Sequence, residues 1–152
     1  MPYDKQRTTD PLVGYKFQLD TGNAVTGYFS EVGGIGSESE VVEHKVVDKK
    51  GNSLVQKIPG RLKWTDVTLK RGVTQDMEIW TWRKMVEDGD MKGARKNCTI
   101  TMFDANFAMA AQWTFTNAWP SKVTGPSVKA DSNDYAVEEV VLVHEGMKRV
   151  KV

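Results

Sequence analysis

Chemistry in this chain would have to start from a few small groups of residues, and each lacks the companions its reaction needs. Gly33-Gly34-Ile35-Gly36 has the glycine density of a loop that cradles phosphate. It is followed by Ser37-Glu38-Ser39-Glu40, with no lysine and no helix start, and two carboxylates repel an anion. The cluster therefore reads as a flexible strand connection. His44 and His144 are the only histidines, each among strand residues and neither in a cluster with ligand spacing, so no metal site is expected. Cys98 has no local catalytic signature, and a lone cysteine reads as a small buried residue. Asn97-Cys98-Thr99 matches a glycosylation acceptor, but no secretory signal accompanies it.

Two charged groups remain. Glu87, Asp88 and Asp90 around Gly89 could supply general acid and base, yet a solvated loop after a helix explains them more simply. Arg61, Lys63, Lys70 and Arg71 surround Trp64, the combination of cation and stacking ring that grips single-stranded nucleic acid. Asp66 and Glu78 lie close by and the net charge is only +1, which argues against it. No enzyme reading survives; no catalytic, cofactor or metal residue is assigned.

At 152 residues the chain suits one domain, residues 1–152, large enough for a hydrophobic core. A single cysteine rules out an internal disulfide framework and fits synthesis in a reducing compartment. Met1 to Asp10 has no apolar signal core and reads as an N-terminal arm, and no run approaches the roughly 18 apolar residues of a membrane span. The expectation is a soluble protein made in the cytoplasm without a signal peptide or membrane anchor.

The elements are mostly strands. Val13, Tyr15, Phe17 and Leu19 alternate with polar or small residues, the period of a half-buried strand. Asp20-Thr21-Gly22-Asn23 predicts a turn, with Ala24 to Val32 returning as partner. Thr99 to Phe103 predicts a shorter strand. Met109, Ala111, Trp113, Phe115 and Trp119 predict one face of another, and Tyr135 to His144, apolar on both faces, predicts a central strand or a subunit contact. One helix is predicted from Met77 to Glu87, capped by Thr74 or Asp76 and stopped at Gly89, with Ile79, Trp82 and Val86 on its apolar stripe and Met77 and Trp80 widening it.

The stretch from Val41 to Gly72 is different. Val41 to Val47 and Ser53 to Ile58 flank Asp48-Lys49-Lys50-Gly51-Asn52, so 41–58 predicts a long, charged, thinly apolar hairpin. Such a ribbon is marginal alone and needs something to lie against. After a break at Pro59-Gly60, Leu62 and Trp64 share one parity and Val67 and Leu69 the other, which predicts a bulge near Thr65-Asp66.

Several motifs together carry a family resemblance. Asp10-Pro11-Leu12-Val13-Gly14-Tyr15-Lys16-Phe17, Phe29-Ser30-Glu31-Val32-Gly33-Gly34-Ile35-Gly36-Ser37-Glu38 and Lys57-Ile58-Pro59-Gly60-Arg61-Leu62-Lys63-Trp64 resemble the tail-tube proteins of contractile phages. They resemble more closely the inner-tube proteins of phage-tail-like contractile injection systems. Leu69-Lys70-Arg71-Gly72-Val73-Thr74 and the helix near Met77 fit the same order. The resemblance implies a mainly β fold, an antiparallel β-barrel or sandwich with one packed α-helix and an extended β-hairpin arm. It implies homohexameric rings stacked into a hollow tube inside a contractile sheath, with sheath, baseplate and tube-cap partners and a protein or DNA cargo in the lumen. The assembled tube would belong to a phage tail or a released particle. By position, the assembly contacts fall on Val42, Glu43, His44, Lys45, Val46, Asp48, Lys49, Lys50, Asn52 and Leu54 of the hairpin and on Gly33, Gly34 and Gly36. Two other readings stay open: a secreted ring protein or effector chaperone of the type VI kind, and a small-ligand β-barrel with Trp64, Trp113 and Trp119 lining a pocket.

Overall fold

The computed structural model describes residues 16–22, 25–126 and 136–152. The proposed N-terminal arm, Val13 to Tyr15 of the first predicted strand and Tyr135 lie outside the described residues. Ten strands and two helices follow in the order β1 (Lys16–Asp20), β2 (Val25–Phe29), β3 (Glu31–Gly33), β4 (Ser37–Val47), β5 (Ser53–Trp64), β6 (Val67–Gly72), α1 (Glu78–Glu87), α2 (Met91–Ala94), β7 (Lys96–Phe103), β8 (Met109–Thr124), β9 (Val137–Val143) and β10 (Gly146–Val150).

Alternation decides which side chains go inside. Leu19 on β1, Ile100 on β7, Val67 and Leu69 on β6, and Val140 and Leu142 on β9 are fully or almost fully buried, joined by Phe29 and Phe115 in one cluster. The antiparallel sheet runs β2-β1-β7-β8-β9-β6-β3, with β10 on the other side of β8. Its two ends, β2 and β3, are consecutive strands separated by Ser30, whose N–H donates to the Lys70 carbonyl at 3.0 Å. The sheet thus curls back on itself, although no ladder joins β2 to β6.

β8 turns the corner between the halves. Its first part pairs with β7 and β10, and Trp119 onward pairs with β9. The change falls at Asn117, a non-glycine residue at φ 50°, whose N–H donates to Asn97 Oδ1 at 3.1 Å. Burial passes there from Ala111 and Phe115 to Ala118 and Pro120. Trp119 therefore does not share the Phe115 face as predicted; the left-handed residue flips the parity. The predicted return strand from Ala24 to Val32 is likewise cut at Ser30 into β2 and β3.

Helix α1 covers β8 and β2 with Ile79 and Trp82 buried, and the Trp82 indole donates to the Ala94 carbonyl at 2.6 Å. Met77 is 63% exposed and plays no part in this packing. Asp76 accepts from the Glu78 N–H, and Gly89 closes the helix at φ 84° with its N–H on the Val86 carbonyl. The second helix, α2, has no counterpart in the sequence pattern. It is four residues long and rests on Asp90, whose side chain accepts from the Gly93 N–H, so no apolar period could announce it.

Candidate functional site

The hairpin built by β4 and β5 stands outside this core. It runs from Ser37 to Trp64, longer than the predicted 41–58, because β5 continues through Pro59-Gly60. The register explains how. Val41 faces Pro59 and Ser39 faces Leu62, so Glu40 opposes both Gly60 and Arg61 and a bulge absorbs the break. The phase change at Thr65-Asp66 is instead a gap between strands: Leu62 and Trp64 belong to the arm and Val67 begins β6 in the body.

The root is held firmly. The Thr65 N–H donates to the Gly36 carbonyl at 3.2 Å, and the Thr65 carbonyl lies 3.2 Å from His144 Nε2, which must carry the proton to donate there. The His144 ring meets Phe115 edge-on at 4.9 Å and Trp64 at 5.8 Å, so this histidine anchors the arm. Gly34 sits at φ +82°, and a Cβ on it would lie 2.1 Å from the Asp66 carbonyl oxygen. Only glycine fits there. Gly33 and Gly36 face open space.

Beyond the root neither strand packs along another element among the described residues, and every residue of β4 and β5 except Val46 and Trp64 is exposed. Pairing sorts the distal side chains. Val42 opposes Ile58, His44 opposes Gln56 and Val46 opposes Leu54, so these six form one face without a formal charge. Glu43 opposite Lys57, and Lys45, fall on the other face. At the tip, Asp48 Oδ1 accepts from the N–H groups of Lys50 at 2.9 Å and Asn52 at 2.8 Å, while Gly51 takes φ 80°. Asp48 is therefore engaged in the turn, and Lys49 and Lys50 remain exposed. Near the root, charge is also divided by strand: β4 carries Glu38, Glu40 and Glu43, with Lys45 further out, and β5 carries Lys57, Arg61 and Lys63.

The other candidates disperse. Arg71 leaves the basic group because Val67, Leu69 and Arg71 share the inward parity of β6. It is buried with Glu138, Nε to Oε2 at 3.2 Å, while the Trp80 indole donates to Glu138 Oε1 at 3.1 Å. The signal was a charge at core parity on each strand; which two strands meet is not local information. Burial pushes the Cys98 thiol up to about 12, the opposite of an activated nucleophile. Glu87 and Asp88 face Arg83 and Lys84 one turn back, and Asp90 caps α2. Trp64 lies against His144, Trp113 lies 6.0 Å beneath the Arg149 guanidinium, and Trp119 opposes Val143. An open surface groove of about 500 Å³ is bounded by residues that include Tyr28, Phe29, Arg71, Val73 and Phe107, with no tryptophan among them. Among the described residues no three His, Cys, Asp or Glu gather as for a metal, and no helix is long and apolar enough to cross a membrane.

Residues 13–148 match the model of the family described as T4-like virus tail tube protein gp19. No curated protein matches the chain closely enough in sequence to count as a relative. Among solved structures, the chain is similar to one in the PVC sheath-tube complex of an extracellular contractile injection system in its extended state, with 27% identity over 95% of both chains and a TM-score of 0.73. It is similar in fold to a chain of the anti-feeding prophage tube terminating cap, with 22% identity, coverage of 98% and 97%, and a TM-score of 0.72. Hcp1 from Flavobacterium johnsoniae shares the fold at 13% identity, coverage of 88% and 93%, and a TM-score of 0.51.

Proposed function

The chain belongs to the T4-like virus tail tube protein family, whose members are structural rather than catalytic, and from that premise we propose that it is the inner-tube subunit of an extracellular contractile injection particle. Six copies close into a ring, rings stack into a hollow tube, and a sheath surrounds it. A baseplate and a terminating cap bound its ends, and the lumen holds the cargo.

One observation supports the arm as the assembly element. A hairpin of this length packs along no other element among the described residues, yet Val42, Ile58, Val46 and Leu54 stand together on a face without formal charge. An isolated ribbon of this kind is marginal in water, so burial against a neighbouring copy is the condition under which it becomes ordered and useful. Glu43, Lys45, Lys49 and Lys50 then set orientation through charge pairs. Deleting Asp48 to Asn52 is expected to leave a folded protomer that forms short tubes or none. Full-length tubes from that variant in negative-stain micrographs would overturn the assignment.

A further inference from the structure

The arm has two backbone edges, and they differ in kind. The outer edge of β5 is interrupted by Pro59, Gly60 and the extra residue of the bulge, devices that blunt strand pairing. The outer edge of β4 runs eleven residues without proline or glycine, roughly 36 Å at strand spacing. Its root-proximal half is acidic, with Glu38, Glu40 and Glu43 all exposed.

The body offers few edges to receive it. Helix α1 lies over β2 and β8, with Arg83 Nη1 donating to the Pro120 carbonyl at 3.0 Å. β3 is three residues long and carries Glu31, which would repel an acidic strand. β10 remains, paired only with β8 among the described residues. It is basic: Lys148 and Arg149 lie on it and Lys151 just beyond, all exposed and outside the ion pairs of the described residues.

We infer that the β4 edge of one copy adds as a strand to the β10 edge of the next, with Glu38, Glu40 and Glu43 facing Lys148, Arg149 and Lys151. Main-chain hydrogen bonds supply the adhesion, and the charge match selects β10 over β3 and over another β4. The contact is head-to-tail, so each copy gives one edge and receives one, as a closing ring or a growing stack requires. This rests on the arm being the assembly element, and it identifies the surface that receives it.

Charge reversal tests it. Glu38→Lys/Glu40→Lys/Glu43→Lys and, separately, Lys148→Glu/Arg149→Glu/Lys151→Glu should each lower the sedimentable tube fraction at least tenfold. The combined six-site variant should return it to within about threefold of wild type. Circular dichroism checks that all three variants fold. A combined variant no better than the weaker parent, or rescue of the β4 variant by Lys57→Glu/Arg61→Glu/Lys63→Glu instead, overturns the pairing. As a second measurement, Glu40→Cys protein is mixed with Lys148→Cys protein and treated with a short bis-maleimide. The pairing requires a mixed dimer band stronger than that from Glu40→Cys with Lys57→Cys. Deleting Asp48 to Asn52 separates the two readings: if the deletion abolishes tubes while the charge swap fails to rescue, the edge pairing alone is wrong. Tubes that survive the deletion remove the assembly arm itself.

Discussion

Replacing Glu138 by Gln should be among the most damaging single changes in the body of this protein. Glu138 is 3% exposed and Arg71 is 4% exposed, their side chains meet at 3.2 Å, and the guanidinium lies 5.1 Å from the Phe29 ring centre. Gly27 makes room for it, since a Cβ there would come within 2.5 Å of Arg71 Nη1. Glu138→Gln keeps an oxygen for the Trp80 indole but leaves the arginine's charge buried and uncompensated. Breaking such a pair costs about 3–5 kcal/mol, whereas removing both charges is close to neutral or stabilising. With a urea m-value of about 2 kcal/mol/M, the single variant should lose roughly 1.5–2.5 M in midpoint. Arg71→Met/Glu138→Gln should recover most of it. Urea unfolding followed by tryptophan fluorescence, in the background lacking Asp48 to Asn52 so that assembly does not add to stability, reads both values. A single variant that shifts by less than 0.5 M, roughly 1 kcal/mol at that slope, or a double variant at least as unstable as the single, would refute the reasoning.

Two further outcomes are expected. Gly34→Ala should destabilise by more than about 2 kcal/mol, combining left-handed strain with the clash on the Asp66 carbonyl, while Gly33→Ala and Gly36→Ala stay within about 0.5 kcal/mol; thermal unfolding compares them. Cys98, raised from 9.0 to about 12 by burial, should resist iodoacetamide at pH 8.5 in the native protein and react on unfolding. The native state then holds a proton the unfolded chain releases, so this contribution is complete below about pH 9 and is lost as pH rises towards 12, at about 1.4 kcal/mol per unit.

Much of the fold is legible in the residues because a half-buried strand writes its inward face every second position. Phe17 and Leu19, Val67 and Leu69, and Val140 and Leu142 show this, and the helix from Glu78 follows the spacing of Ile79 and Trp82. The misses share a cause. Periodicity places Trp119 on the Phe115 face, but Asn117 turns left-handed and moves it off, and a single residue's φ is not visible in apolar periodicity. Pro59-Gly60 has the composition of a strand stop, yet a bulge on a strand with one free edge tolerates both. α2 was too short to have a period, and Asp90 at its start resembles any turn aspartate.

The candidate site divides along the same line. The arm's isolation is written in its composition: Glu43, Lys45, Lys49 and Lys50 among a few valines cannot build a core, whatever the rest of the chain does. The resemblance carried by the motifs around Phe29 and Lys57 likewise needs no coordinates. What the tertiary structure decided is pairing. That Val42, His44, Val46, Leu54, Gln56 and Ile58 form one face follows only from the register of β4 on β5, and that Arg71 meets Glu138 follows only from β6 lying beside β9. That β10 is a basic edge paired only with β8 among the described residues depends on α1 lying over other strands. Local sequence sets which way a side chain points along its own strand; which strand lies next to it is settled by the packing of the whole chain.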